Sequence, residues 1–141
     1  MVKKTITYED FDGNTRTEDF YFNLSKNELI DMNYSKKGGL DKIIEKMIKT
    51  KDAPGMILLV KDLVRKSYGV KSEDGREFMK SKKIRKAFEQ TNAYSELFMS
   101  LAANEEEALA FIKGIMPKDL AEEAEKRRDE IAKDLGVELV K

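Results

Sequence analysis

The sequence predicts an α+β protein, mostly α, in which an N-terminal β-hairpin packs on a bundle of about five to six short helices and a charged C-terminal helix or tail follows. Three observations predict it. Residues 3–24 alternate apolar and polar side chains on either side of an Asp-Gly-Asn turn. From residue 25 onward, apolar positions recur at three- and four-residue spacing between capping residues. After Pro117 the composition shifts to Ala, Glu, Lys and Arg. A chain of 141 residues suits one domain with its own core. We therefore read 1–117 as a single core, with the hairpin over 1–24 and helices over 25–117. Residues 118–141 read as a charged helical or partly disordered tail.

In the hairpin, Ile6 and Tyr8 alternate with Thr5 and Thr7, and Phe20, Phe22 and Leu24 alternate with Tyr21 and Asn23. One face can pack while the other stays wet. A hairpin alone is marginal, so its aromatic face needs a helical layer or another chain's strand. Ser25 and Glu28 fit a capping box opening a short helix with Leu29, Ile30 and Met32. Gly38-Gly39 breaks the chain, and Leu40, Ile43, Ile44, Met47 and Ile48 then mark one helical face. Asp52 caps the next helix, with Pro54 in its first turn. That helix, MILLVKDLVRKSY, is apolar around most of its early circumference and reads as the most buried, ending at Gly69 as the C′ residue.

Asp74-Gly75 signals a turn within 70–80, with room for a short extended piece. Ser81 caps a helix through Gln90 whose Ile84, Ala87 and Phe88 point inward. Thr91 or Asn92 starts the next, with Tyr94, Leu97, Phe98 and Leu101 on one side. Asn104 caps a last core helix carrying Leu109, Phe111, Ile112 and Ile115, and Pro117 ends it. Beyond it, pairs such as Glu122 with Lys126 and Glu123 with Arg127 support a solvated helix.

Composition excludes more than it proposes. With no Cys and no His, the chain lacks disulfides, thiolate or imidazole metal ligands, thiol nucleophiles and the usual near-neutral acid–base group. Twenty-seven basic and 27 acidic residues balance to zero, so nothing draws the whole molecule toward nucleic acid or an anionic membrane. The N-terminus has no apolar signal region, and MILLV at 56–60 is far too short to span a bilayer, so a cytoplasmic protein without membrane contact is expected.

Candidate sites fail on their chemistry. Asp10, Asp12 and Asn14 have the opening spacing of a calcium loop, but Thr15 replaces its Gly and Tyr21 its bidentate Glu. Consecutive Glu105, Glu106 and Glu107 diverge around a helix and serve its N-terminal dipole better than a metal. Neither Gly38-Gly39 nor K-D-A-P-G is a phosphate loop. Ser67, Ser72 and Ser95 have no histidine to activate them. No enzyme, cofactor or metal is expected. The run Lys80, Lys82, Lys83, Arg85, Lys86 is the dense basic cluster, and a nucleic-acid-binding or regulatory module using this helix at 80–86 is the alternative reading. The same face suits an acidic protein partner.

Three stretches in series, "KKTITYEDFDGNTRTEDFYFNLSKNEL", "YGVKSEDGREFMKS" and "FEQTNAYSELFMSLAANEEEALAFIKGIMP", make the sequence resemble the tail assembly chaperones of long-tailed, siphovirus-type phages and prophages of Gram-positive bacteria. The resemblance covers most of 1–117. It implies a non-enzymatic protein of the bacterial host's cytoplasm that coats the helical, apolar tape-measure protein, keeps it soluble, promotes tail-tube assembly and is absent from the mature virion. It further implies contact with the major tail protein, a longer form made by ribosomal frameshifting, and room for a homo-oligomer. Such a protein needs apolar grooves between helices, here expected between 40–48 and 93–115. Tyr94, Phe98, Phe111 and Met116 are the expected apolar anchors, and Lys82, Lys83 and Lys86 the expected charged contacts. A structural tail component that pairs with itself along the hairpin edge is a further reading.

Overall fold

A computed structural model describes residues 1–31 and 54–118, with the backbone alone for 54–56, and the isolated positions 126, 129, 130 and 133. Met32, the helix expected over 40–48, the Asp52 cap and nearly all of the tail lie outside the described residues. The described elements run β1 (Val2–Glu9), β2 (Thr15–Phe22), α1 (Lys26–Asp31), α2 (Pro54–Ser67), β3 (Tyr68–Lys71), β4 (Phe78–Met79), α3 (Lys82–Glu89), α4 (Asn92–Ala103) and α5 (Glu105–Ile115). The architecture is mixed α+β, as expected, but the hairpin belongs to a larger sheet. Its strands follow the order β1-β2-β3-β4 and all pair antiparallel.

The first turn is set by one side chain. Asp10 accepts hydrogen bonds from the Asp12 N–H (3.0 Å) and the Asn14 N–H (2.9 Å), and Gly13 takes φ +82°, where a side chain would be strained. The Gly13 N–H reaches the Asp10 carbonyl at 3.1 Å and the Asp10 N–H reaches the Asn14 carbonyl at 2.8 Å, fixing a register in which Ile6 faces Glu18. The second turn repeats the device: Ser72 and Asp74 organise it, and Gly75 has φ +74°.

Caps mark the helices where the sequence places them. Ser25 and Glu28 close a reciprocal box (3.0 and 3.2 Å), Ser81 accepts from the Ile84 N–H (3.0 Å), Thr91 from the Tyr94 N–H (3.3 Å), and Asn104 from the Glu107 N–H (3.1 Å). Gly69 is not a helix terminator. It lies buried in β3, and a Cβ there would sit 2.6 Å from the Phe78 ring, so the residue admits an aromatic ring rather than a left-handed turn. Ala87 is exposed, contrary to its expected inward position.

The core lies between the sheet and the helices. Ile6, Phe22 and Leu24 from the hairpin meet Leu63 and Val64 of α2, Phe88 of α3, Leu97 and Leu101 of α4, and Phe111, Ile112 and Ile115 of α5. Aromatic rings form its centre: Tyr68 stacks on Phe88 at 4.1 Å, and Phe22 meets Phe111 edge-on at 5.3 Å. Helix α5 also closes on the sheet backbone. The Leu24 N–H donates to the Ile115 carbonyl at 2.8 Å, and a Cβ on Gly114 would overlap Val2.

Candidate partner-binding surface

Helix α2 buries Leu59, Val60, Leu63 and Val64 but leaves Ile57 and Leu58 outward, Leu58 at 64% exposure. These two residues stand one turn before Lys61, whose ammonium lies 5.9 Å above the Phe98 ring of α4. Phe98 is half-buried and stacks on Tyr94 at 6.3 Å, while its neighbour Met99 is exposed. Farther along α2, the Arg65 Nε donates to Glu89 at 2.5 Å, joining α2 to α3. The result is an apolar strip across α2 and α4 with charged groups at its border.

Beneath the strip, the Tyr94 hydroxyl is buried without a hydrogen-bond partner. Its pKa is raised, first by burial and then by the Glu89 charge. The four expected anchors therefore separate. Phe98 reaches the surface, Tyr94 supports it from just below, and Phe111 and Met116 are buried in the core. The apolar residues that sequence reasoning missed are Ile57 and Leu58. Their signal was present in MILLV, since a helix start that is apolar all round in so small a domain has more apolar surface than one core can cover.

The basic run also divides. Lys82, Lys83 and Lys86 are exposed on α3. Lys80 turns inward, and its ammonium donates to the Asn23 carbonyl (2.6 Å), Glu28 Oε2 (2.6 Å) and the Lys66 carbonyl near the end of α2 (3.0 Å). Burial lowers its pKa, against the opposing pull of Glu28. Lys80 is thus an internal tie and leaves the basic face smaller than the sequence suggests.

Nothing described resembles a reaction centre. The Asp10 carboxylate is occupied by two backbone N–H groups and by Arg16 Nε at 2.7 Å. Among the described residues, no group of three or more acidic, His or Cys side chains could hold a metal ion. The concavity lined by Ser72, Glu73, Asp74, Arg76, Glu77 and Met79 belongs to a single turn and gathers no reacting pair. Among the described residues, no helix is long and apolar enough to cross a membrane.

A family model described as phage tail assembly chaperone matches residues 1–138. The chain belongs to the phage tail assembly chaperone family. The match takes in the hairpin, every described helix and most of the charged C-terminal stretch, so membership of this family rests on nearly the whole chain. No curated protein and no solved structure matches it.

Proposed function

We propose that this chain binds the tape-measure protein of a siphovirus-type tail through the strip on α2 and α4, keeps it soluble and leaves before the particle is complete. The observation that carries the reading is Leu58, a large apolar side chain 64% exposed on α2 one turn before Lys61, the residue that reaches over the Phe98 ring. A long amphipathic helix can lay its apolar residues on such a strip, with Lys61 and the Arg65–Glu89 pair meeting its flanking charges. Tyr94 and Phe98 are the partner contacts we retain from the sequence, while Phe111 and Met116 lie buried in the core. Lys82, Lys83 and Lys86 extend the charged border on α3.

Binding at each strip must be modest, because tube subunits have to displace the chaperone. Several copies along one tape measure supply the overall affinity. The major tail protein and a frameshifted longer form of this chain are the other partners in this reading, and the cytoplasm of the bacterial host is its setting. Co-expression tests it. The tape-measure protein is expected to be soluble with the unmodified chain and to aggregate alone or with Leu58→Glu, while Leu58→Glu itself stays folded by circular dichroism. Equal aggregation with and without the unmodified chain would overturn the reading.

A further inference from the structure

Among the described residues strand β1 is an edge of the sheet, and its outward side has a defined extent. Because the Asp10 N–H points across to Asn14, the even-numbered residues Val2, Lys4, Ile6 and Tyr8 turn their N–H and C=O groups toward β2. The odd-numbered residues Lys3, Thr5, Thr7 and Glu9 turn theirs outward. Glu9 bears this out, since its carbonyl accepts from Asn92 Nδ2 of α4 at 2.8 Å. That bond closes the Glu9 end of the edge. Lys3, Thr5 and Thr7 remain, all exposed, and no described residue pairs with their outward backbone groups.

We propose that two copies of this chain pair antiparallel along β1, with Thr5 opposite Thr5 of the second copy across a two-fold axis. The open stretch is centred on Thr5, so this register uses every free group and none that is occupied. Each Lys3 then faces a Thr7, and each Thr5 faces its equivalent, with six backbone hydrogen bonds of the narrow antiparallel type. No like charges stand opposite one another on the solvent face. Shifting the register by two residues would bring Lys3 against Glu9, where Asn92 already sits. The other edge is less suitable, since β4 is the two-residue strand Phe78–Met79. On the outer side of β2, β3 engages only Tyr21 and Phe22 and leaves Thr15 to Phe20 open among the described residues, so pairing there is the alternative that a cysteine at Thr17 tests. The pairing is independent of which protein the α2–α4 strip receives.

These 141 residues contain no cysteine, so single-cysteine variants report contacts cleanly. Thr5→Cys under mild oxidation is expected to give a disulfide-linked dimer, because a narrow pair holds its Cα atoms within bridging range. Thr17→Cys, exposed on β2, is expected to remain uncrosslinked. In sedimentation the unmodified chain should show the mass of two chains, and Thr5→Pro should halve it. The Thr5 N–H points away from β2, so Thr5→Pro removes no β1–β2 hydrogen bond, and circular dichroism checks that it folds. Should it unfold, Thr5→Lys, which sets two cations face to face, replaces it as the dissociating variant. The proposal is overturned if the unmodified chain stays monomeric up to its solubility limit. Crosslinking at Thr17 instead of Thr5, or a dimer that a folded edge variant leaves intact, would overturn it as well.

Discussion

Replacing Lys80 by Met tests whether one half-buried ammonium ties the sheet to the helices. The substitution keeps most of the side-chain length and removes all donors to Asn23 O, Glu28 Oε2 and Lys66 O. A hydrogen bond to a charged group is worth about 1.5–3 kcal/mol net, so three taken at face value suggest a loss of about 4.5–9 kcal/mol. Two facts reduce that figure. Burial lowers the Lys80 pKa despite Glu28, so desolvation offsets part of the attraction. The Lys80 and Glu28 side chains are also 19% and 34% exposed, so Glu28 can be rehydrated once its partner is gone. What remains is mainly two main-chain carbonyls that lose this donor, at about 1–1.5 kcal/mol each, for a total of about 2–3 kcal/mol. With a urea slope of about 1–3 kcal/mol per molar, the unfolding midpoint should fall by about 1 M or more. Adding Glu28→Gln should cost less than it does alone, because the two residues share one interaction. A midpoint that moves by less than about 0.2 M at unchanged slope would refute the reasoning.

Tyr94→Phe deletes a buried hydroxyl that has no partner, and should raise stability by about 1 kcal/mol, read as a melting temperature about 2–4 °C higher; a lower melting temperature would mean that the hydroxyl is satisfied. The Asp10 carboxyl is held below its ordinary value of 3.8 first by Arg16 and then by the Asn14 and Asp12 N–H groups. The folded chain therefore binds this proton more weakly than the unfolded chain. The contribution is present above the unfolded value and lost as pH falls through the lower folded one. The Asp12 and Asn14 amide resonances should accordingly shift with a midpoint below 3.8, and a midpoint at or above 3.8 would contradict the turn geometry.

Local chemistry was the legible part of this molecule. Ser25, Ser81, Thr91 and Asn104 cap helices because each bonds within its own first turn, and three to four residues of sequence contain the whole interaction. The hairpin was readable for the same reason, with Asp10 and Gly13 determining it from inside the turn. Long-range partners were not readable. Gly69 resembles a helix stop until Phe78 is placed against it, and Lys80 belongs to a basic run until Asn23 and Glu28 meet it from far along the chain. The site suffered most from this. Helical spacing marks Phe98, Phe111 and Met116 alike as apolar, and only the packing of α5 under the sheet separates the buried pair from the accessible ring.

The contact of Gly114 with Val2 bears on how the molecule is made. A ribosome makes β1 well before the helix that locks its beginning, because Val2 and Gly114 lie far apart along the chain. Until then the newborn hairpin carries Ile6 and Phe22 without their final cover, and that uncovered apolar surface is prone to aggregate. Completion of this fold must wait for α5, and a chain stalled before Gly114 should be recognised by cellular quality control as unfinished.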